Sequence, residues 1–181
     1  MPVQTVSTPH HLRIVLATAL FLLAVAPITY AAQDETVRPI LTPQPGAAPK
    51  INGPKIYGAR PGHPFVYRIP CTGVRPMSFS AEGLPASLRL DEAQGIISGQ
   101  VPRQRGEYAI IFHAINRSGK SSRPFKLVVG DNLALTPRMG WNDWYTYYDH
   151  ISEKVIRQAA DALVASGMAD FGYAYVDIDG C

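Results

Sequence analysis

The spacing of apolar residues changes once along this 181-residue chain, and that change decides its architecture. Between residues 51 and 130 apolar side chains recur at every second position, in short runs. From residue 152 they recur every three or four positions. Period two marks a strand with one buried face, and period 3.6 a helix with one buried stripe. The first stretch therefore predicts a β-domain, and the second a helix set between two further strands.

In the β-stretch, residues 64–69 place Phe65, Tyr67 and Ile69 on one face. Residues 107–115 are the clearest strand: Tyr108, Ile110, Phe112 and Ala114 face one way, Ala109, Ile111 and His113 the other. Further strands are expected at 78–81, from Leu88 through Leu90, at 95–99 and at 124–129, with a hairpin turn at 116–120. The 16 prolines and 15 glycines punctuate these runs as turns do. Several short strands at this spacing predict a β-sandwich.

The period-3.6 stretch is bounded by capping signals. Ser152 is placed to cap the helix, with Glu153 at the positive end of its dipole. Val155, Ala159 and Leu163, with the adjacent row Ile156, Ala160 and Val164, make one broad apolar face. Arg157 can pair with Asp161, and Gly167 fits the helix stop. A strand at 139–142 precedes the helix and another at 173–179 follows it, which predicts a parallel crossover. Alternation sends Tyr175, Asp177 and Asp179 to one face of the second strand, and Val176 and Ile178 to the other. In an open sheet covered on both faces, two carboxylates would be buried at high cost. At the rim of a closed barrel they sit where functional residues gather, so the pattern favours a barrel with a polar mouth. An aromatic ring beside such carboxylates can stack on a sugar while the acids accept from its hydroxyls. Trp141 is a candidate for that platform, the alternative being that Trp141 and Trp144 are core aromatics.

The N-terminal residues carry an address rather than chemistry. A weakly basic start ending at Arg13 leads into the apolar run Ile14–Ala26, and Thr29-Tyr30-Ala31 offers small residues for signal peptidase. The run is shorter than the roughly 20 residues that span a bilayer, so a cleaved signal and export to the periplasm or outside are expected, with no stable membrane insertion. The expected organisation is a signal peptide over 1–32, a proline-rich linker over 33–50, an Ig-like β-sandwich over 51–130, and the start of a (β/α)8 barrel over 131–181. A net charge of +3 with scattered Lys and Arg gives no footprint for nucleic acid. Cys71 and Cys181 are too few for a disulfide framework and are expected as free thiols. No metal-ligand cluster or phosphate loop is visible, so no metal or organic cofactor is expected. His113 and His150 lack clustered partners, and the sequon Asn116-Arg117-Ser118 reads as a turn.

Two resemblances add to this reading. The runs F-S-A-E-G-L-P-A-S-L-R-L-D, G-I-I-S-G-Q-V-P and G-E-Y-A-I-I-F-H-A-I-N-R-S-G resemble immunoglobulin-like domains attached to secreted bacterial enzymes, which implies a spacer or interaction module. The runs L-A-L-T-P-R-M-G-W-N-D-W, I-R-Q-A-A-D-A-L-V-A-S-G-M-A-D-F-G-Y and Y-V-D-I-D-G-C resemble the start of glycoside hydrolase family 27, the α-galactosidases and α-N-acetylgalactosaminidases. That resemblance implies a (β/α)8 barrel and retaining hydrolysis of α-galactosides by two aspartates on the fourth and sixth strands. No residue here matches either, so residues 1–181 alone are expected to be inactive and the C-terminal third, two strands of eight, to be poorly ordered. The roles carried over are substrate-binding ones: Trp141 as a wall of the galactose pocket and Asp179 as an acceptor for a galactose hydroxyl. Where the family places a second aspartate, this chain has Gly180, which bears on the preference for galactose. The cysteine that many relatives bridge to the counterpart of Cys181 is matched here by Asp149, so that bridge cannot form. The alternative function is a non-catalytic secreted Ig-like module that binds glycan or protein and carries a vestigial barrel tail.

Overall fold

The structure, a computed structural model, describes residues 44–180. The expected signal segment, most of the expected proline-rich linker and Cys181 lie outside the described residues. Eleven strands and three helices follow one another among them. The strands are β1 (Lys50–Ile51), β2 (Ile56–Ala59), β3 (Pro64–Arg68), β4 (Cys71–Thr72), β5 (Ser78–Glu82), β6 (Leu88–Asp91), β7 (Ile96–Gln100), β8 (Gly106–Asn116), β9 (Gly119–Val129), β10 (Gly140–Asn142) and β11 (Tyr175–Asp177). The helices are α1 (Trp144–Tyr147), α2 (Glu153–Ala165) and α3 (Met168–Phe171).

The sandwich has a four-stranded sheet, β2-β9-β8-β5, facing a three-stranded sheet, β3-β7-β6, with β1 and β4 paired beside them. Alternating residues drive the packing. Phe65, Tyr67 and Ile69 from one sheet meet Ile110, Phe112 and Ala114 from the other, and all are buried, as period two requires. Phe125 is the aromatic hinge of this core, with ring centroids 4.7 Å from Phe112 and 5.0 Å from Tyr67.

The β8–β9 hairpin runs in register from Gly106↔Val129 to Asn116↔Gly119. Strand β9 is longer than the 124–129 expected, because polar Lys120 to Arg123 pair with β8, with Lys120 and Ser122 exposed while Ser121 and Arg123 bond to the backbone at Ile51 and Gly53. At its tip the Asn116 side chain accepts from the Ser118 amide at 2.8 Å and donates to the carbonyls of Ala47 and Val74. Asn116 is therefore a structural turn residue. Strand β2 went unpredicted because I-Y-G-A has no alternation. It forms because it pairs in parallel with β9 and because Gly58 lets the following chain cross it: a Cβ there would lie 2.2 Å from the Asn132 carbonyl oxygen.

In the C-terminal segment β10 and β11 pair in parallel, Gly140↔Tyr175 through Asn142↔Asp177. Strand β11 is shorter than the 173–179 expected. Helix α2 starts where its cap predicts, with Ser152 Oγ accepting from the Val155 amide at 3.4 Å. Arg157 pairs with Glu153 at 2.8 Å rather than with Asp161. The acid one turn toward the N-terminus is the favoured orientation for such a pair. Of the broad apolar face, Leu163 is buried, whereas Val164 is 66% exposed, so only one of its two rows is covered. The described residues thus form a parallel strand–helix–strand unit, and two strands do not close a barrel. The unit nevertheless has a packing surface that the sequence reading left out, the sandwich itself; the described residues fall in one compact unit.

Candidate functional site

The site expected from the sequence lies at the carboxyl ends of β10 and β11, where strand ends and loops leave side chains free of ladder duties. Asn142 ends β10, Asp143 follows it, and Asp179 lies two residues beyond β11. Asn142 Nδ2 donates to Asp179 Oδ2 at 3.2 Å, and Asn142 Oδ1 accepts from the Trp144 amide at 2.9 Å. Asp143 is 1% exposed, and its Oδ1 accepts from the Asp179 amide at 2.9 Å. Asp179 is therefore held by its side chain from Asn142 and by its backbone from Asp143, while its carboxylate stays exposed. Sequence reasoning missed Asn142 and Asp143. Their signal was present in G-W-N-D-W, as the first polar pair after a strand.

Strand parity separates the two sugar contacts expected. Trp141 pairs with Val176, and Asn142 with Asp177, so Trp141 shares the face of Val176 while Asn142 and Asp177 take the other. Asp179 bonds to Asn142 on that second side. Trp141 instead packs edge-on against Tyr147, with centroids 6.1 Å apart. The tryptophan tied into the Asp179 network is Trp144, through its amide, and its ring packs against Tyr148 at 5.6 Å. Tyr145 projects into solvent.

Charge around the site is largely matched. Asp177 is paired with Arg138 at 2.9 Å, and the Arg138 guanidinium lies 5.9 Å from the Tyr175 ring centroid. Gly180 donates its amide to Asp179 Oδ1 at 2.9 Å, and a Cβ added at Gly180 would meet nothing within 4 Å. Among the described residues the position is thus open to a side chain.

Among the described residues the other candidate groups do not form a competing site. Cys71 is buried, and burial pushes its thiol up, which suits a core residue better than a nucleophile. His113 lies between Ser122 Oγ at 2.7 Å and Glu82 Oε1 at 3.0 Å on the sandwich surface. His150 is exposed. Among the described residues no three His, Cys, Asp or Glu side chains cluster as metal ligands, and no helix is long and apolar enough to cross a membrane.

Fold and site together describe an Ig-like sandwich joined to a strand–helix–strand unit with an acid held at its strand ends. Comparison with known proteins gives both parts relatives. Residues 48–130 match the family described as Putative Ig domain. The chain is 52% identical over 56 residues to alpha-galactosidase 3 of Arabidopsis thaliana, and 53% identical over 51 residues to alpha-galactosidase A of Cellvibrio japonicus. These matches cover 31% and 28% of this chain, and 13% of each relative. A crystal structure of a putative alpha-galactosidase from Bacteroides fragilis superposes with a TM-score of 0.69 at 43% identity, covering 77% of this chain and 30% of that one. A second, a putative alpha-galactosidase/melibiase from the same organism, has the same score and identity over 74% of this chain and 28% of that one. The chain carries an Ig-like domain and is similar to alpha-galactosidases. It spans about an eighth of the length of those curated relatives.

Proposed function

We propose that this chain is the N-terminal part of an exported retaining glycosidase acting on terminal α-galactosides, and that its residues build one edge of the sugar pocket. The observation that carries the reading is Asp179, exposed at the end of a parallel pair and held from two sides, in a segment whose relatives are alpha-galactosidases. In this role Asp179 accepts from a sugar hydroxyl. Asn142 aims the carboxylate, and Asp143 fixes the backbone that bears it. Because Trp141 lies on the other face of the strand pair, the aromatic wall expected of it falls better to Trp144, whose backbone amide is bonded to Asn142.

Retaining hydrolysis needs two carboxylates about 5–5.5 Å apart, one attacking and one protonating the leaving oxygen. The acids beside Asp179 are occupied: Asp177 by Arg138, and Asp143 by burial and by the Asp179 amide. On this reading residues 44–180 supply one edge of the pocket, and the catalytic pair comes from the rest of the full-length protein.

An aryl α-galactoside assay on the full-length protein tests the reading. Release of the aryl group is expected, with Asp179→Ala raising KM or abolishing turnover. Trp144→Ala is expected to cost more than Trp141→Ala in kcat/KM. No release from the α-galactoside, alongside release from another glycoside, would reject the substrate class. No glycosidase activity at all would favour a non-catalytic binding module.

A further inference from the structure

The Ig-like resemblance suggests a spacer, yet the sandwich and the C-terminal unit meet through a built contact. Asp170, in α3, receives two guanidinium groups from the sandwich: Arg68 at 2.6 Å and Arg75 at 3.1 Å, both on the same carboxylate oxygen. The Asp170 carbonyl accepts from Asn52 Nδ2 at 2.9 Å. Two residues on, Gly172 is buried against Gly53, and a Cβ on Gly172 would lie 2.9 Å from the Gly53 Cα. Only two glycines allow backbones to approach this closely, and Gly172 also adopts φ +105°, where a side chain is strained. Next along the chain, Tyr175 at the start of β11 neighbours Tyr57 of β2, across a cleft of about 990 Å³ lined by both units.

We propose that the sandwich is a fixed support for the hydrolase unit, and that Asp170 is the positioning residue that seats β11, and with it Asp179, on that support. Arg68 and Arg75 lie 102 and 95 positions before Asp170, so the clamp ties sequence-distant parts directly. The solved B. fragilis structure supports a fixed arrangement. One superposition covers 77% of 181 residues, about 139, whereas the Ig-domain match is 83 residues long. A single rigid overlay extends beyond the sandwich only if both units keep one geometry. The consequence for sugar binding rests on the glycosidase reading; the docking does not.

The experiment uses the 181-residue chain and reads docking rather than activity. Both tryptophans, Trp141 and Trp144, belong to the C-terminal unit, so their fluorescence reports that unit while far-UV circular dichroism is dominated by the sandwich strands. In urea the two signals are expected to change together, as one cooperative body requires. Asp170→Arg is expected to split them, with fluorescence changing at lower urea and protease cutting within 131–137 about tenfold faster, since cleavage tracks the open population. Reversing the partners in the same chain, Arg68→Asp with Arg75→Asp, is expected to bring the signals back together and the cleavage rate within about threefold of wild type. Asp170→Asn, which keeps size and loses charge, is expected to move the same readouts part of the way, and serves should Asp170→Arg fail to fold. Separate transitions in the wild type, coincident ones in both Asp170 variants, or a reversed chain as split as Asp170→Arg would each overturn the proposal.

Discussion

Asp143 concentrates the logic of the candidate site in one side chain. A carboxylate with 1% exposure is stable only if its bonds offset lost hydration, and the one seen goes to the Asp179 amide at 2.9 Å. Asp143→Ala leaves that amide without its partner, and a loss of about 1–3 kcal/mol is expected, measured by urea unfolding followed through tryptophan fluorescence. A loss below a few tenths would mean that Asp143 does not hold Asp179. Gly180 makes the opposite case. Among the described residues the space around it is open, so in the 181-residue chain Gly180→Asp should leave stability within about 0.5 kcal/mol of wild type. In the full-length protein it should raise kcat/KM on an α-galactoside about tenfold or more, because a second charged acceptor is worth about 1.5–3 kcal/mol. An unchanged ratio of galactoside to other glycosides would show that Gly180 does not set the preference. Asp179 was legible in the sequence because strand alternation and a motif coincide on it. Asn142 and Asp143 were not, since their importance lies in bonds to a residue 36 or 37 positions away.

Elements were legible wherever a single face is buried. Strands β3 and β8 follow their alternation, and α2 starts at its cap. Ser152→Ala should cost about 1 kcal/mol and speed amide exchange in the first turn of α2, seen by hydrogen-exchange mass spectrometry. Equal exchange in the two proteins would mean that the 3.4 Å bond contributes nothing. Strand β2 and helix α1 were less legible because neighbours create them. Gly58 permits a chain crossing, and α1 is one turn begun by the Asn142 bond to the Trp144 amide. That turn ends on Tyr148 at φ 49° and ψ −121°, a positive-φ backbone outside the left-handed helical region that a side chain rarely adopts. It lies in the turn after Asn142 and Asp143, the pair that holds Asp179, and strained backbone collects at functional sites.

At the scale of the whole molecule, the change of apolar period announced two units but not their contact. Arg68, Arg75, Asp170 and Tyr57 lie far apart in sequence and carry no pattern there that pairs them. The contact has a titratable signature. Burial, and then the neighbouring Tyr175 phenol, push the Tyr57 phenol up from its ordinary 10 to about 12. Tyr67, deeper in the core, is pushed up mainly by burial, with Tyr57 adding to it. A raised phenol holds its proton more tightly in the folded chain than in the unfolded one. Its contribution is complete below about pH 10 and is lost as pH rises toward and through the folded value. The urea midpoint should therefore be level from pH 7 to about 9 and fall between about 10 and 12. Tyr57→Phe removes one of the two phenols and should make that fall shallower without abolishing it, because Tyr67 remains. The tryptophan signal should lead the fall, since the Tyr57 phenolate stands beside Tyr175 at the seat of β11. A midpoint that stays level to pH 12, or a fall equally steep in Tyr57→Phe, would place the alkaline weak point elsewhere than at this contact.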